Sequence, residues 1–235
     1  MLKLIGLEWK KNHIGKYVRG AVILAVLLCV FTFSLAFLGI ANDPITGGLD
    51  AASGYNTISS PIELFTSMAY LVFNGVMLSS FIVGAYRDKT MNLMFSYPIR
   101  RQKILVSQML SVWIFSFAAL TFTKLLLYGC VLAASRFMAS AFVLDFDMAS
   151  LSFYAQLLLK SAGIVIMGFI ALFIGLSMRS SKATVISSFL LIVLTQANVG
   201  DLTLSDNAVF QAALMAVSLV FAFLSVFQVE HKDLM

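Results

Sequence analysis

Long apolar runs, each about the length of a bilayer crossing, follow one another along the chain with short polar stretches between them. About 20 apolar residues in a helix cross the roughly 30 Å hydrocarbon core. Lipid offers the backbone no hydrogen-bond partners, so a crossing segment must be a helix or part of a closed barrel. A barrel strand alternates polar and apolar residues. Here the run from Ala21 to Phe37 is mostly apolar at both parities, so helices are expected. Charged residues make up 11% of the chain, against about one-quarter in soluble domains. A soluble enzyme domain is thereby excluded.

The reading is an all-α integral membrane protein, one domain over residues 1–235. Six transmembrane helices are predicted at about 20–40, 62–85, 104–134, 153–178, 184–199 and 208–229. The third run is too long for one straight crossing, so its first turns are expected in the cytoplasm. The fifth is short enough to be a re-entrant element. The first is longer than a signal-peptide core and is followed by further spans, which favours an uncleaved first helix. Before it, residues 1–18 interleave Leu4, Ile5, Leu7 and Trp9 with Lys3, Glu8, Lys10, Lys11 and Lys16. That spacing predicts a short amphipathic helix at the inner surface, its lysines among the headgroups.

Orientation follows from the cationic side chains. With a cytoplasmic N-terminus, the inner segments hold Lys3, Lys10, Lys11, Lys16, Arg19, Arg87, Lys89, Arg100, Arg101, Lys103, Arg179, Lys182 and Lys232, which is 13 of the 16 Lys and Arg. Six crossings return the C-terminus to the same side. The formal charge of +5 therefore marks a membrane leaflet, and no nucleic-acid partner is expected. A bacterial plasma membrane is the expected location.

Catalytic signatures are missing from the sequence. There is no His-Glu-x-x-His, no Gly-x-Ser-x-Gly and no metal spacing, and His13 and His231 fall in terminal segments. No catalytic and no metal-ligating residue is assigned. Cys29 and Cys130 lie in apolar runs and read as core-filling side chains. The phosphate-loop pattern Gly-x-x-x-x-Gly-Lys-[Ser/Thr] is also missing. No ATP hydrolysis by this chain alone is expected; its energy would come from a partner or an ion gradient.

The informative polar stretch is Tyr86 to Lys103. Met91, Leu93, Met94 and Phe95 offer apolar contact area, Pro98 interrupts any helix, and Arg100, Arg101 and Lys103 can pair with acidic protein or lipid. By itself this describes either a docking element or a lipid-anchored loop. The stretch resembles the cytoplasmic signature of ABC-2 type transporter permeases. That pattern runs from an acidic residue through a Thr and leucine-like residues to a Tyr-Pro pair and basic residues. Asp88, Thr90, Leu93, Tyr97, Pro98, Arg100, Arg101 and Lys103 match it. The layout of the small bacterial members is also similar over nearly the whole chain, including the closing Glu230-His-Lys-Asp-Leu234. Two places depart: where the family often carries a Glu before the stretch and a Lys after it, this chain has Ala85 and Gln108.

The resemblance implies a membrane-spanning permease subunit of an ATP-binding cassette exporter. Its segment comprising Arg87, Thr90, Met91, Leu93, Met94, Tyr97, Pro98, Arg100, Arg101 and Lys103 would dock into a separate cytoplasmic ATP-binding subunit. Two such subunits would bind ATP and Mg, and a second permease copy would complete the dimer. This chain itself would bind no cofactor. The cargo would be amphipathic or hydrophobic, such as an antimicrobial peptide, a drug or a lipid-like molecule.

Polar residues inside the spans are the default functional candidates. Asn74, Lys124, Gln196 and Asn198 form a candidate translocation path. Lys124 could face that path or satisfy itself against Asn74 or a backbone carbonyl. It also supports an alternative, a gradient-driven carrier or channel. Lys160 lies nearer a span edge and is expected to snorkel. Ser161, Gly163, Gly168, Ala171 and Gly175 put small residues along the fourth span, as close helix packing requires.

Overall fold

The computed structural model describes residues 2–37, 59–87, 101–135, 148, 150–178, 180–195, 198–199, 202–203 and 208–231. Helices dominate: α1 (Leu2–Lys11), α2 (Gly15–Phe37), α3 (Ser59–Leu78), a π-helical turn (Ser79–Val83), α4 (Gly84–Arg87), α5 (Arg101–Ser135), α6 (Leu151–Ser177), α7 (Ser181–Thr195) and α8 (Ala208–His231). A short antiparallel pairing joins Asn198–Val199 (β1) to Leu202–Thr203 (β2).

Five of these helical stretches are long and apolar enough to cross a membrane: Gly15–Ser34, Pro61–Val83, Gln102–Ser135, Leu151–Ser177 and Phe210–Phe227. The protein is a multi-helix membrane protein. Helix α7 is the exception among the predicted spans, with 15 residues, or ~22 Å at about 1.5 Å per residue. The sequence reading carries this helix to residue 199; it ends at Thr195, and Asn198 and Val199 are paired with Thr203 and Leu202 instead.

The side chains are sorted as lipid demands. Ile186, Phe189, Leu190 and Val193 on α7 are exposed, as are Val217, Leu219, Val220 and Phe223 on α8. The buried positions on these helices include hydroxyls: Thr184, Ser187 and Ser188 on α7, Ser218 and Ser225 on α8. Ser218 Oγ donates to the Leu214 carbonyl and Ser225 Oγ to the Phe221 carbonyl. A hydroxyl that bonds its own preceding turn hides its polarity, and its small size lets helices approach closely. Apolar groups outside and small polar groups inside invert the pattern of a water-soluble helix.

The chain divides into two compact units. One comprises Met1–Tyr17, Tyr70–Phe117 and Ala162–Met235; the other comprises Val18–Ala69 and Ala118–Ser161. The core of the first unit gathers Met77, Leu78, Phe81, Ile82, Val83, Leu105, Met109, Val112, Phe169 and Leu172, with Trp9 and Tyr17 packed against it. A second cluster there joins Leu71, Ala171 and Leu191. In the second unit Tyr128 meets Phe153 edge to face, and Phe31 meets Phe65 likewise.

The small residues of α6 are packing sites. A Cβ on Gly168 would collide with Asn74, one on Gly163 with Met215, and one on Gly175 with Thr184. The same logic places Gly75 of α3 against α7, where an added Cβ would lie 2.7 Å from that of Ser188.

Candidate functional site

Two groups of polar residues stand out, one in each unit. The first surrounds the ends of the helices that flank the Tyr86 to Lys103 stretch. Helix α1 begins with an apolar face and ends on Lys10 and Lys11. Ile5 and Glu8 are buried, whereas Leu7, Lys10 and Lys11 are exposed. The amphipathic spacing thus does form a helix, but one seated on protein through its inner face. A turn at Asn12 to Ile14 follows, with His13 in the left-handed region at φ 49°.

Three side-chain contacts hold α1 and the start of α2. Trp9 Nε1 donates to the Ser111 carbonyl at 3.3 Å. Gln108 Nε2 donates to Glu8 Oε1 at 3.3 Å. Tyr17 Oη donates to Ser80 Oγ at 2.6 Å, and its ring meets Phe81 edge to face. Ser80 and Phe81 belong to the π-helical turn, in which the Gly84 amide reaches back to the Ser79 carbonyl. Such a turn rotates the side chains that follow it and is frequent at functional sites. Ser79 Oγ in turn donates to the Ser181 carbonyl at the start of α7. The N-terminal segment therefore touches both α5 and the turn just before α4, the two helical ends between which the basic stretch runs.

Gln108, where the resemblance leads one to expect a Lys, thus meets a carboxylate after all, supplied by Glu8 rather than by residue 85. Lys11 lies 3.8 Å from the same carboxylate. Gln108 Oε1 and Ser111 Oγ, one turn apart on α5, are buried without a hydrogen-bond partner among the described residues.

Of the predicted docking residues, Lys103 is exposed on the first turn of α5. Arg87 ends α4 and Arg101 opens α5. Thr90, Met91, Leu93, Met94, Tyr97, Pro98 and Arg100 lie outside the described residues, as does Gln196. Asn198 stands in β1. Asn74 is 1% exposed; its Nδ2 donates to the Val165 carbonyl at 3.0 Å, and its Oδ1 accepts from Ser116 Oγ at 3.2 Å. Both functions of the amide are taken up by α6 and α5, so Asn74 acts as a clamp between helices.

The second group lies in the other unit. Lys160 of α6 does not reach outward alone: its Nζ lies 2.5 Å from Glu63 Oε2 of α3, with about a third of each side chain exposed. Lys124 of α5 is 1% exposed, and its Nζ has no hydrogen-bond partner among the described residues. Glu63 and Lys160 are the charges whose fields bear on it. Thr121 Oγ1, one turn before Lys124, and Ser161 Oγ, next to Lys160, are also buried without a partner among the described residues. Cys29 of α2 and Cys130 of α5 are both free thiols. Among the described residues no His, Cys, Asp and Glu group could hold a metal ion.

Comparison with known proteins yields no matching family model and no matching solved structure. The chain is 25% identical over 238 residues to the "Uncharacterized protein YcbO" of Bacillus subtilis (strain 168), an alignment covering 99% of this chain and 100% of that protein. The alignment runs end to end, so the two chains are similar in length.

Proposed function

We propose that this chain is the membrane-spanning permease subunit of an ATP-binding cassette exporter, driven by a separate cytoplasmic ATPase. The observation that carries the proposal is the stretch from Tyr86 to Lys103, basic at its end and bounded by the apolar helices α3–α4 and α5. A segment joining two crossing helices emerges on one face of the bilayer. With Arg100, Arg101 and Lys103 beside Met91, Leu93 and Met94, it offers charge and apolar area together, as a docked element needs. Helix α1 braces both flanking ends through Trp9–Ser111, Glu8–Gln108 and Tyr17–Ser80. A push on the segment would then be passed to helices rather than absorbed by a slack linker.

In this reading α7 completes six crossings, both termini and the segment are cytoplasmic, and the protein sits in a bacterial plasma membrane. Two copies pair with two ATPase subunits that bind ATP and Mg. The cargo is amphipathic or hydrophobic. The test is co-purification from membranes with a phosphate-loop ATPase, for the native chain and for Tyr97→Ala and Arg100→Ala. Loss of the partner in the variants supports the reading. A complex without any ATPase, unchanged by either substitution, ends it. Labelling of a cysteine placed at Lys103 from outside intact cells would overturn the orientation.

A second reading is favoured by the buried Lys124: a gradient-driven carrier. It requires ion-dependent flux in vesicles without ATP, abolished by Lys124→Ala.

A further inference from the structure

Three charged side chains within electrostatic reach of one another lie in the unit formed by Val18–Ala69 and Ala118–Ser161. Two are ammonium groups, Lys124 and Lys160, and one is a carboxylate, Glu63. The carboxylate is engaged with Lys160 at 2.5 Å. That leaves Lys124 as the excess cation, 1% exposed and with no bonded partner among the described residues. It lies 11 residues before the end of α5 at Ser135, or ~16 Å along the helix, so its chain is too far inside to reach the headgroup layer with ease.

A buried ammonium without a counter-charge is strongly disfavoured. Packing does not explain its retention, because a Leu or Met would fill the same space without the cost. Two further hydrogen-bond donors, Thr121 Oγ1 one turn away on α5 and Ser161 Oγ beside Lys160, are likewise buried and unpartnered among the described residues. Among the described residues, Glu63 is engaged with Lys160 and no second negatively charged acceptor serves these donors.

We propose that Lys124, flanked by the Lys160–Glu63 pair, is the anion-recognising group of a membrane-buried site for an amphiphile with an anionic headgroup. Lys124 neutralises the headgroup, and the apolar surroundings hold its chain. Glu63 occupies Lys160 and screens out a second anion, so a singly charged head matches the net charge of the group. Binding stabilises whichever arrangement of α3, α5 and α6 admits the head to Lys124. As a cargo contact the site rests on the transport reading; as a binding site it does not.

The experiment uses the full chain in discs of phosphatidylcholine, without nucleotide or partner, so its outcome is independent of any ATPase. Thermal unfolding is followed at pH 5, where a phosphate monoester carries a single charge, against rising dodecyl phosphate, with dodecylphosphocholine as the matched zwitterion. Dodecyl phosphate is expected to raise the midpoint with concentration, and dodecylphosphocholine to leave it unmoved. Lys124→Met removes the unpaired charge and is expected to fold at least as well without ligand, yet to bind dodecyl phosphate at least about tenfold more weakly. Lys124→Arg keeps the charge and retains binding. Inorganic phosphate and phosphatidylglycerol doped into the discs separate the sources. Protection by phosphate alone assigns a small anion, competition by phosphatidylglycerol assigns a bilayer lipid, and neither assigns a free amphiphile; each keeps the anion site. Equal protection by the zwitterion, or undiminished binding in Lys124→Met, overturns it.

Discussion

Gln108 Nε2 donates to Glu8 Oε1 at 3.3 Å across 100 residues of sequence, and both side chains are buried. The bond joins the N-terminal helix to the first turns of α5, next to the Trp9–Ser111 contact. It places a carboxylate against an amide, not against a full positive charge, with Lys11 at the edge at 3.8 Å. The contact is thus a neutral-donor version of an ion pair.

Its removal is expected to loosen α1. Glu8→Ala leaves the Gln108 amide buried without this acceptor and should cost about 1–3 kcal/mol. Gln108→Lys supplies the carboxylate with a direct counter-charge and should hold stability near or above the native value. Thermal unfolding of the purified chain in detergent reads both. A loss in Gln108→Lys as large as in Glu8→Ala would mean that shape, not charge, governs the contact.

The Lys160–Glu63 pair invites a double-mutant cycle. With about a third of each side chain exposed, the coupling between them is expected to be modest, about 1 kcal/mol. Glu63→Gln alone also strips a carboxylate from the field of Lys124 and should cost more than Lys160→Gln alone. Unfolding midpoints of the two singles and the double decide this. Equal losses in the singles, adding in the double, would show that the 2.5 Å contact contributes nothing.

Two glycines that look alike in sequence should respond differently to alanine. At Gly75 the new Cβ would lie 2.7 Å from Ser188 Cβ, a group fixed to the α7 backbone. At Gly163 it would meet the terminal methyl of Met215, a flexible end that can turn away. Gly75→Ala is expected to cost about 1–3 kcal/mol and Gly163→Ala less than about 1 kcal/mol. Expression level and unfolding midpoint report the order.

The helical, membrane-embedded class was legible because apolar runs of bilayer length leave little choice of backbone structure. Spans at α2, α3, α5, α6 and α8 follow from that alone. The end of α7 was not legible, since the pairing of Asn198 and Val199 with Thr203 and Leu202 is a contact that no local run of residue types announces. The partners of the polar residues were hidden for a related reason. Lys160 and Glu63 are 97 positions apart, and Asn74 and Val165 91 apart. Their meeting is set by the rotation and height of whole helices, which composition does not encode. Lys124 was visible as an intramembrane charge; that it would be left without a bonded partner among the described residues was not. The small residues of α6 gave a usable signal, because a run such as Gly168, Ala171 and Gly175 on one helix needs a close neighbour to justify it.

Asn74 and Gly168 provide the sharpest test of that close packing. The amide of Asn74 reaches the Val165 carbonyl only because Gly168, one turn on, has no side chain; an added Cβ would collide with Asn74 Nδ2. Gly168→Ala is therefore expected to displace the amide and break its bonds to Val165 and Ser116. Asn74→Ala removes the same bonds directly, at about 0.6–2 kcal/mol for an interhelical polar contact. The two losses should not add. With Asn74 already truncated, the alanine at 168 meets open space, and the double variant should be about as stable as Asn74→Ala, or slightly better through the helix preference for alanine. A double-mutant cycle on unfolding midpoints measures this, and strict additivity would show that Asn74 and Gly168 do not share the contact.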